Sequence, residues 1–421
     1  MSAYESYRYA LSLTSQFYFC GLPLRLDTYS DCLFSCNYCF AAARGGQRSP
    51  KGLKVADPAA IGRALRRATS GDEPASAIGA LLTRRQPIHF GGMSDPFPPL
   101  EAELGVSRSL LRELASTRYP TIISTKGVLL AEDRYLELLR EGDFVVQVSF
   151  SARDDRLAAE LDRGAPSPTE RIQMLRDLSR AGISTAARLQ PLLPGREEEA
   201  AAFIAELADA GVRHVGVEYL KLPVERWRGT QRMSQAVGVD LGRLYSAEGA
   251  ERSAREWLLP ATRRLESIVS LRAETHACGM SFGAADTDLL PLGDGACCCS
   301  GAEVLLKTAP NFLEFNYLGA VRRASASGQV SFNSLSDCWV PGGSIAEMVN
   351  SESRLPSRNG RGAELRDYIR ANWNGRPNGC SPQMFYGVEP TGSLDDQGLR
   401  IYALTDELRT LMVDRLGNPV H

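Results

Sequence analysis

The sequence predicts an α/β fold built on a parallel sheet, and two patterns carry that prediction. In the first half of the chain, short apolar runs alternate six times with segments of helical periodicity, as repeated strand–helix–strand units do. Crossovers in such units are right-handed, so successive strands become neighbours in one sheet. The periodicity weakens after Pro223, and glycine, proline and cysteine become frequent from Cys278 onward. We therefore expect one large α/β domain followed by a mostly irregular, cysteine-rich C-terminal extension.

The six predicted strands are short and apolar, and polar or glycine-containing segments bound them. They are Leu24–Thr28, Ile88–Phe90, Thr121–Ser124, Phe144–Phe150, Ala187–Leu192 and Val215–Tyr219. His214 precedes the last of these strands, and we expect it to be exposed. Strand residues near the carboxyl ends are the first candidates for a functional site, because parallel strands end at one edge.

Six segments between and after the strands carry helical signals. They are Ala59–Ala68, Val106–Ala115, Arg134–Arg140, Thr169–Ala181, Glu197–Ala210 and Pro260–Ala273. The clearest start is Ser167 followed by Pro168, a capping serine before a proline at the first helical position. Gly182 and Gly211 indicate two helix ends, since glycine is common just beyond the last turn.

The composition favours a cytoplasmic enzyme. The 421 residues have a formal net charge of −2 and a hydrophobic share of 43%. A large core can therefore form, and no overall charge attracts nucleic acid. No apolar run is long enough to span a membrane, and the start of the chain shows no signal peptide. Ten cysteines in such a chain indicate metal binding rather than disulfide bonds.

Cys32, Cys36 and Cys39 stand close together directly after the first predicted strand. Their C-x3-C-x2-C spacing supplies three thiolates, one fewer than the four that close an ordinary iron–sulfur cluster. A [4Fe–4S] cube held in this way keeps one iron open to a small molecule, which indicates chemistry rather than electron storage alone. The alternative is a structural zinc knuckle, although zinc sites usually have four ligands in paired C-x2-C units.

This spacing, with the aromatic Phe40 after the last cysteine, resembles the radical S-adenosylmethionine (SAM) superfamily. The resemblance implies a partial (β/α)6 barrel over residues 1–290, with reacting groups at the carboxyl ends of its strands. It also implies that SAM binds the open iron and that a flavodoxin- or ferredoxin-type protein donates the electron. Cleavage of SAM then gives methionine and a 5′-deoxyadenosyl radical.

Five further stretches narrow the resemblance to the spore photoproduct lyase-like branch of that superfamily. They are Gly91–Glu101, Ser124–Gly127, Val148–Ser151, Arg163–Arg171 and Ala187–Gly195. In that order they resemble the branch's Ser/Thr-Asp-Pro motif, Thr-Lys motif, fourth-strand motif, Arg-Ala-Pro-Ser-Pro stretch and fifth-strand signature. Each is short, but their order and spacing match over about residues 27 to 195.

The resemblance implies a set of SAM contacts at the strand ends. The predicted set is Phe40, Gly91, Gly92, Ser94, Asp95, Lys126, Ser149 and Arg188. Lys126 is a point cation suited to the SAM carboxylate, and Arg188 is a second candidate for that group. The serines can hydrogen-bond the amino-acid end or the ribose, and the glycines let the backbone approach closely. The alternative for both cations is an ordinary ion pair or a solvated side chain.

Two departures from the photoproduct lyase pattern favour another substrate. The branch places a hydrogen-donor cysteine two residues before the Ser-Asp pair, where this chain has Gly92, and Phe40 replaces one of two tyrosines. We therefore expect a small-molecule or nucleoside-like substrate. The alternative is a nucleic-acid repair or modification enzyme, which the net charge of −2 disfavours. A non-catalytic metal-binding protein is the remote alternative.

A second group of cysteines lies just before and within the C-terminal region, residues 291–421. Its predicted metal ligands are Cys278, Cys297, Cys298, Cys299 and Cys338, with Cys380 and His276 as further candidates. The group resembles the auxiliary Fe–S clusters that many radical SAM enzymes carry after the barrel. The same region is expected to cap the active site. A zinc site and a set of reactive thiols without metal stay open as alternatives.

Overall fold

The computed structural model describes residues 4–39, 52–71, 73–225, 227–253, 255–295, 301–309, 311–345, 364–375 and 380–412. Phe40 and the adjacent cysteines Cys297, Cys298 and Cys299 lie outside the described residues. The predicted metal ligands within them are Cys32, Cys36, Cys39, Cys278 and Cys338.

The strands of the described residues form four sheets. In chain order they are β1 Glu5–Ser6, β2 Leu11–Leu13, β3 Leu24–Leu26, β4 Lys54–Val55, β5 Ile88–Phe90, β6 Thr121–Thr125, β7 Phe144–Phe150, β8 Ser184–Leu192, β9 His214–Tyr219, β10 Leu222–Pro223, β11 Glu251–Ser253, β12 Glu256–Leu258, β13 Ser281–Ala284, β14 Gln329–Val330, β15 Val388–Leu394 and β16 Arg400–Leu404. The largest sheet has eight strands in the order β13-β9-β8-β7-β6-β5-β3-β2. All its neighbours are parallel except β2, which pairs antiparallel with β3.

Helices connect the parallel strands and continue into the C-terminal region. They are Pro58–Thr69, Ala77–Thr83, Glu101–Leu104, Val106–Ser116, Asp133–Glu141, Asp155–Leu161, Pro168–Arg180, Glu197–Asp209, Trp227–Val237, Leu241–Ala247, Ala261–Ala277, Ala302–Leu305, Tyr317–Arg323, Leu365–Asn372 and Asp406–Leu411. Ser167 caps its helix as predicted, in a reciprocal pair of hydrogen bonds with Glu170. Within the part of the chain that the structure describes, no helix has the length and apolar character needed to cross a bilayer.

Side chains alternate between two faces of the main sheet. On β7, Val146 and Val148 are buried in the apolar core with the helices, whereas Gln147 and Ser149 lie on the opposite, inner face. The other parallel strands follow the same rule, so polar residues from neighbouring strands meet on the inner face. This mixed α/β architecture with a mostly parallel sheet is consistent with the predicted partial barrel.

The sheet has one more parallel strand than the sequence predicts. β13 pairs with β9 in the register Ser281 to His214, and the His214 Nδ1 lies 2.9 Å from the Ser281 Oγ. The strand was missed because it has four residues and no continuous apolar run. Since β13 covers the edge of β9, His214 is buried, and the expectation that it is exposed is wrong.

The C-terminal region is more regular than the sequence predicts. Strands β14, β16 and β15 form an antiparallel sheet. Trp373 packs edge-on against Tyr317, Phe332 and Tyr402, with ring centres 5.3 to 6.1 Å away. These aromatic residues are far apart in sequence, so no periodic pattern indicates their common core. The change of domain near Leu290 stays a prediction.

Candidate active site

The three clustered cysteines lie on the loop that leaves β3 at the carboxyl edge of the sheet. None of them forms a disulfide bond. Burial raises the pKa of the Cys32 thiol to about 12, and the charge of Asp95 adds to the rise. Burial also raises the pKa of Cys36, against the opposing charge of Lys126. The charge of Cys39 acts on both of these thiols and the charge of Cys32 acts on Cys36, so the three cysteines lie close together.

Main-chain contacts fasten this cysteine loop to the segment after β7. The Ser35 N–H donates to the Arg163 carbonyl oxygen at 2.8 Å, and the Asn37 N–H donates to that of Leu161 at 2.9 Å. The Asn37 amide also donates to the Glu160 carbonyl oxygen at 2.6 Å. The segment begins the Arg-Gly-Ala-Pro-Ser-Pro stretch that the resemblance identified, which now has a structural role.

A buried ion pair in the same stretch holds Tyr38. The Arg171 Nη1 lies 2.8 Å from the Asp162 Oδ2, and these side chains are 0% and 1% exposed. The Tyr38 hydroxyl donates to the other Asp162 oxygen. Arg171 also donates to the carbonyl oxygens of Ser149 at 2.8 Å and Pro166 at 2.9 Å. Arg171 is therefore a positioning residue that joins the end of β7 to the cysteine loop.

Asp95 links the cysteine loop to the end of β6. Its carboxylate accepts from the Thr125 hydroxyl at 2.7 Å, the Phe97 N–H at 2.9 Å and the Lys126 N–H at 2.6 Å. Its own N–H donates to the Cys32 sulfur. The Lys126 ammonium lies 5.6 Å from the centre of the Tyr38 ring. The structure thus brings Lys126 beside the cysteines, and the SAM contacts of Asp95 and Lys126 stay predictions.

Asp27 holds the loop after β5 through hydrogen bonds. Sequence reasoning did not single out this residue. Its Oδ1 accepts from the N–H groups of Met93 at 2.8 Å and Ser94 at 3.1 Å. Burial raises the pKa of Asp27 to about 6, although these N–H donors oppose the rise. The Ser94 hydroxyl donates to the Tyr29 carbonyl oxygen at 2.6 Å and is buried. Ser94 therefore has a structural partner, and its contact with SAM stays a prediction.

Two predicted glycines lie where strand ends crowd together. Gly91 has a φ of 92°, and a Cβ there would lie 2.4 Å from the Ser124 carbonyl oxygen. A Cβ at Gly92 would lie 2.9 Å from the Arg25 Cδ. Packing within the protein therefore requires Gly91, and Arg25 occupies the space beside Gly92. A role of either glycine toward a ligand stays a prediction.

A row of polar side chains crosses the inner face from β3 to β7. Arg25 contacts the His89 Nδ1, the His89 Nε2 lies 2.7 Å from the Ser124 Oγ, and Ser124 donates to the Gln147 Oε1 at 2.9 Å. Sequence reasoning did not single out Arg25 or Gln147. The signal was present, because each stands between apolar neighbours in a strand. The Arg25 guanidinium also lies 3.9 Å from the Cys20 sulfur.

A second polar cluster, the Glu218 cluster, joins the carboxyl ends of β8 and β9. Glu218 accepts from Arg188 and Gln190 at 2.6 Å each and from Lys221 at 2.5 Å. Burial alone would raise the pKa of Glu218, but Lys221 and Arg188 hold it below its usual value. Arg188 is a register neighbour of Ser149 on β7. The predicted carboxylate clamp Arg188 is thus an ion-pair partner of Glu218, and its SAM contact stays a prediction.

Cys278 and Cys338 lie in different surroundings. Cys278 follows the helix Ala261–Ala277, and its thiol feels the charges of Glu274 and Asp209. The Cys338 thiol instead feels Arg323 and Glu314. Burial is the main cause that raises the pKa of both thiols. The two thiols therefore have different charged neighbours.

The first three cysteines supply a set of donors that suits an iron–sulfur cluster. Among the described residues, no group of three or more His, Cys, Asp and Glu side chains is placed to hold a single metal ion. In a [4Fe–4S] cluster each thiolate binds its own iron, so the ligands need not converge on one point. The backbone N–H groups of Phe34 and Asp95 donate to the Cys32 sulfur, as hydrogen bonds to cluster sulfurs do.

Comparison with known proteins agrees with this donor set. The family model described as the Radical SAM superfamily matches residues 27–208. An uncharacterized protein of Mycobacterium tuberculosis is 26% identical over 217 residues, which are 48% of this chain and 60% of that relative. An uncharacterized protein of Acidianus two-tailed virus is 26% identical over 207 residues, 45% of this chain and 64% of that relative. The similarity thus spans less than two thirds of either relative.

Solved structures add a likeness in fold. A mutant of spore photoproduct lyase superposes with a TM-score of 0.51 at 15% sequence identity. The superposition covers 66% of this chain and 80% of that chain. At this identity the likeness concerns the α/β architecture and not the substrate.

Proposed function

We propose that the chain, whose residues 27–208 match the Radical SAM superfamily model, cleaves SAM reductively and abstracts hydrogen from a small-molecule or nucleoside-like substrate. Cys32, Cys36 and Cys39 would hold a [4Fe–4S] cluster whose open iron takes SAM. When bound, such a cluster would supply the electron for cleavage of SAM to methionine and a 5′-deoxyadenosyl radical, which would remove a substrate hydrogen atom. The position of the three cysteines at the carboxyl edge, beside Lys126, carries this proposal.

The chain's own residues bind and position. The Lys126 ammonium is the proposed partner of the SAM carboxylate, since it lies at the strand end next to the cysteine loop. Asp95 fixes the backbone of Lys126 and the sulfur of Cys32 together. Ser149 lies one strand from Arg188 on the inner face, where its hydroxyl can contact the ribose. The electron donor we propose is a flavodoxin- or ferredoxin-type protein.

We also propose an auxiliary Fe–S cluster near the end of the helix Ala261–Ala277, built from Cys278, two of the three adjacent cysteines and Cys338. The contacts of Asp294 support this proposal. The Asp294 carboxylate accepts a hydrogen bond from the Phe282 N–H at 2.7 Å and lies 2.9 Å from the His276 Nε2. These bonds fasten the chain just before Cys297 to the neighbourhood of Cys278. The cluster's role in redox, substrate ligation or sulfur donation follows only from the resemblance.

The direct test is SAM cleavage by anaerobically reconstituted protein with dithionite. We expect release of 5′-deoxyadenosine by the wild type and none by the variant in which Cys32, Cys36 and Cys39 are all alanine. Cys20→Ala is the matched control, because it removes a buried thiol outside the loop and should retain the activity. Undiminished release from the triple variant would refute the proposed site.

The photoproduct lyase reaction is not proposed. A cysteine at Gly92 is absent, and the Arg25 side chain fills the space that its Cβ would need. We expect no clean recovery of thymine from photoproduct-containing DNA, even while 5′-deoxyadenosine forms, and weak binding of duplex DNA at physiological salt. Catalytic thymine recovery would instead favour a nucleic-acid substrate.

A further inference from the structure

We infer that the Glu218 cluster binds an acidic group of the substrate, a carboxylate or a phosphate, through the ammonium of Lys221 beside Arg188. This inference rests on the proposed function, because it names the chemistry of the molecule that the inner face holds. It is carried by three observations: the hydrogen-bond geometry of Glu218, the exposure of its cations and the position of the cluster at the carboxyl edge.

Glu218 orients the cations around it and has few acceptor positions left for a ligand. Its Oε2 accepts from both Arg188 and Gln190 at 2.6 Å, and its Oε1 accepts from Lys221 at 2.5 Å. A carboxylate has about four acceptor positions, so these three donors use most of them. Glu218 is therefore a positioning residue, and a ligand meets the donors around it.

Lys221 has more N–H donors than its bond to Glu218 uses. An ammonium carries three N–H groups, and Glu218 takes one of them. The side chains of Lys221 and Arg188 are 17% and 15% exposed, so neither is completely shielded from solvent. An acidic group would accept charge-assisted hydrogen bonds from these cations, which are stronger than bonds between neutral groups.

The surrounding charges limit the ligand to a single acidic group. Asp286 and Glu256 also attract Lys221, but Asp286 lies 3.3 Å from Arg264, and that pair is sealed at 1% and 2% exposure. Arg264 also pairs with Asp288 at 2.5 Å, so the three cations of this neighbourhood face four carboxylates and its field is not positive. Directed N–H donors, and not a large positive field, would select the ligand, so a polyanion is disfavoured.

The location suits a small substrate anchored at one end. Glu218 lies on β9, Arg188 on the neighbouring β8 and Ser149 on β7. The carbonyl oxygen of Ser149 accepts a hydrogen bond from Arg171, the residue that joins β7 to the cysteine loop. Neighbouring strands are about 4.8 Å apart, so the ends of β7 and β9 are separated by about 10 Å. That is the length of a small metabolite or a nucleoside, which would extend from Lys221 toward the cysteine loop.

The test follows the ammonium groups directly. The chain has only the lysines Lys51, Lys54, Lys126, Lys221 and Lys307, so ¹⁵N-lysine labelling gives few side-chain signals, and Lys→Arg variants assign them. Full-length protein is titrated separately with inorganic phosphate and with acetate at constant ionic strength. We expect a saturable shift of the Lys221 signal with at least one anion. A response to phosphate alone indicates a phosphate group, and a response to acetate indicates a carboxylate. No saturable response to either would overturn the inference.

A second measurement uses the anion as the probe. Binding of phosphate and acetate is followed by the line widths of their ³¹P and ¹³C signals in the wild type, Lys221→Met and Lys54→Met. We expect Lys221→Met to lose about tenfold in affinity, whereas Lys54→Met, which loses only a surface pair with Glu5, should match the wild type. Equal affinity in all three would also overturn the inference. Neither measurement needs SAM cleavage, so failure of the proposed reaction is distinguished by the 5′-deoxyadenosine assay.

Discussion

The two groups of cysteines lie in contrasting surroundings. The loop of Cys32–Cys39 is fastened by main-chain contacts to the segment after β7 and by Tyr38 to a fully buried ion pair. Cys278 and Cys338, in contrast, follow separate elements and have different charged neighbours. A metal site whose ligands are close in sequence is held by one loop, whereas a dispersed site needs several segments to meet. We expect the first site to be the more robust.

Iron content tests both sites at once and carries the largest expected effect. If both hold four-iron cubes, reconstituted wild type should contain about eight irons per chain. The triple alanine variant of the cysteine loop should keep about half, and Cys278→Ser with Cys338→Ser should lose the other half. About four irons in fully reconstituted wild type would show that the second group binds no cluster.

The support of the cysteine loop can be broken without touching a cysteine. Arg171→Met leaves Asp162 buried without its cation, which should lower the free energy of unfolding by about 3–5 kcal/mol. The matched control is Arg153→Met, which removes an exposed pair with Glu206 and should cost about 0–1 kcal/mol. Denaturant unfolding measures both. Equal losses in the two variants would contradict the role of the buried pair.

Asp27 gives the cysteine-loop side of the sheet its own pH dependence. Its pKa is about 6 in the folded protein against an ordinary value of 3.8. The folded state therefore keeps a proton that the unfolded chain releases, and this contribution to stability is present below about pH 4 and lost as the pH rises through 6.

The corresponding test compares wild type with Asp27→Asn, which cannot ionise. From pH 4 to pH 7 the free energy of unfolding of the wild type should fall, relative to the variant, by about 2–3 kcal/mol. Asp286, whose pKa burial also raises to about 6, is present in both proteins and cancels. A difference that does not change with pH would remove Asp27 from this account of stability.

The smallest expected effect concerns SAM itself. Lys126→Ala should weaken SAM binding by about tenfold, the loss of one charge-assisted contact, and Lys126→Arg should weaken it less because the charge remains. Equilibrium binding to reconstituted protein measures both variants. Affinity equal to wild type in Lys126→Ala would exclude Lys126 from the SAM site.

Much of the fold follows from signals within a few residues. The apolar runs located the six central strands, the Ser-Pro pair located the start of the helix Pro168–Arg180, and the cysteine spacing predicted the edge at which the site lies. Strand ends differed by one to three residues, because pairing with neighbours decides where a ladder ends. The short strand β13 was missed for the same reason, since its pairing with β9 defines it.

By itself, the sequence determined the cysteine loop, the parallel strands and the resemblance to the Radical SAM superfamily model over residues 27–208, because each depends on residues close together in the chain. Only the tertiary structure decided the partners of the polar residues. Tyr38 meets Asp162 across 124 residues, and Arg188 meets Glu218 across 30. Such pairs depend on strand register and on burial, which raises the energy of an unpaired charge and so selects the arrangement in which charges meet. For that reason the predicted clamp Arg188 was found in an ion pair, and the supports of the cysteine loop could be recognised only in the fold.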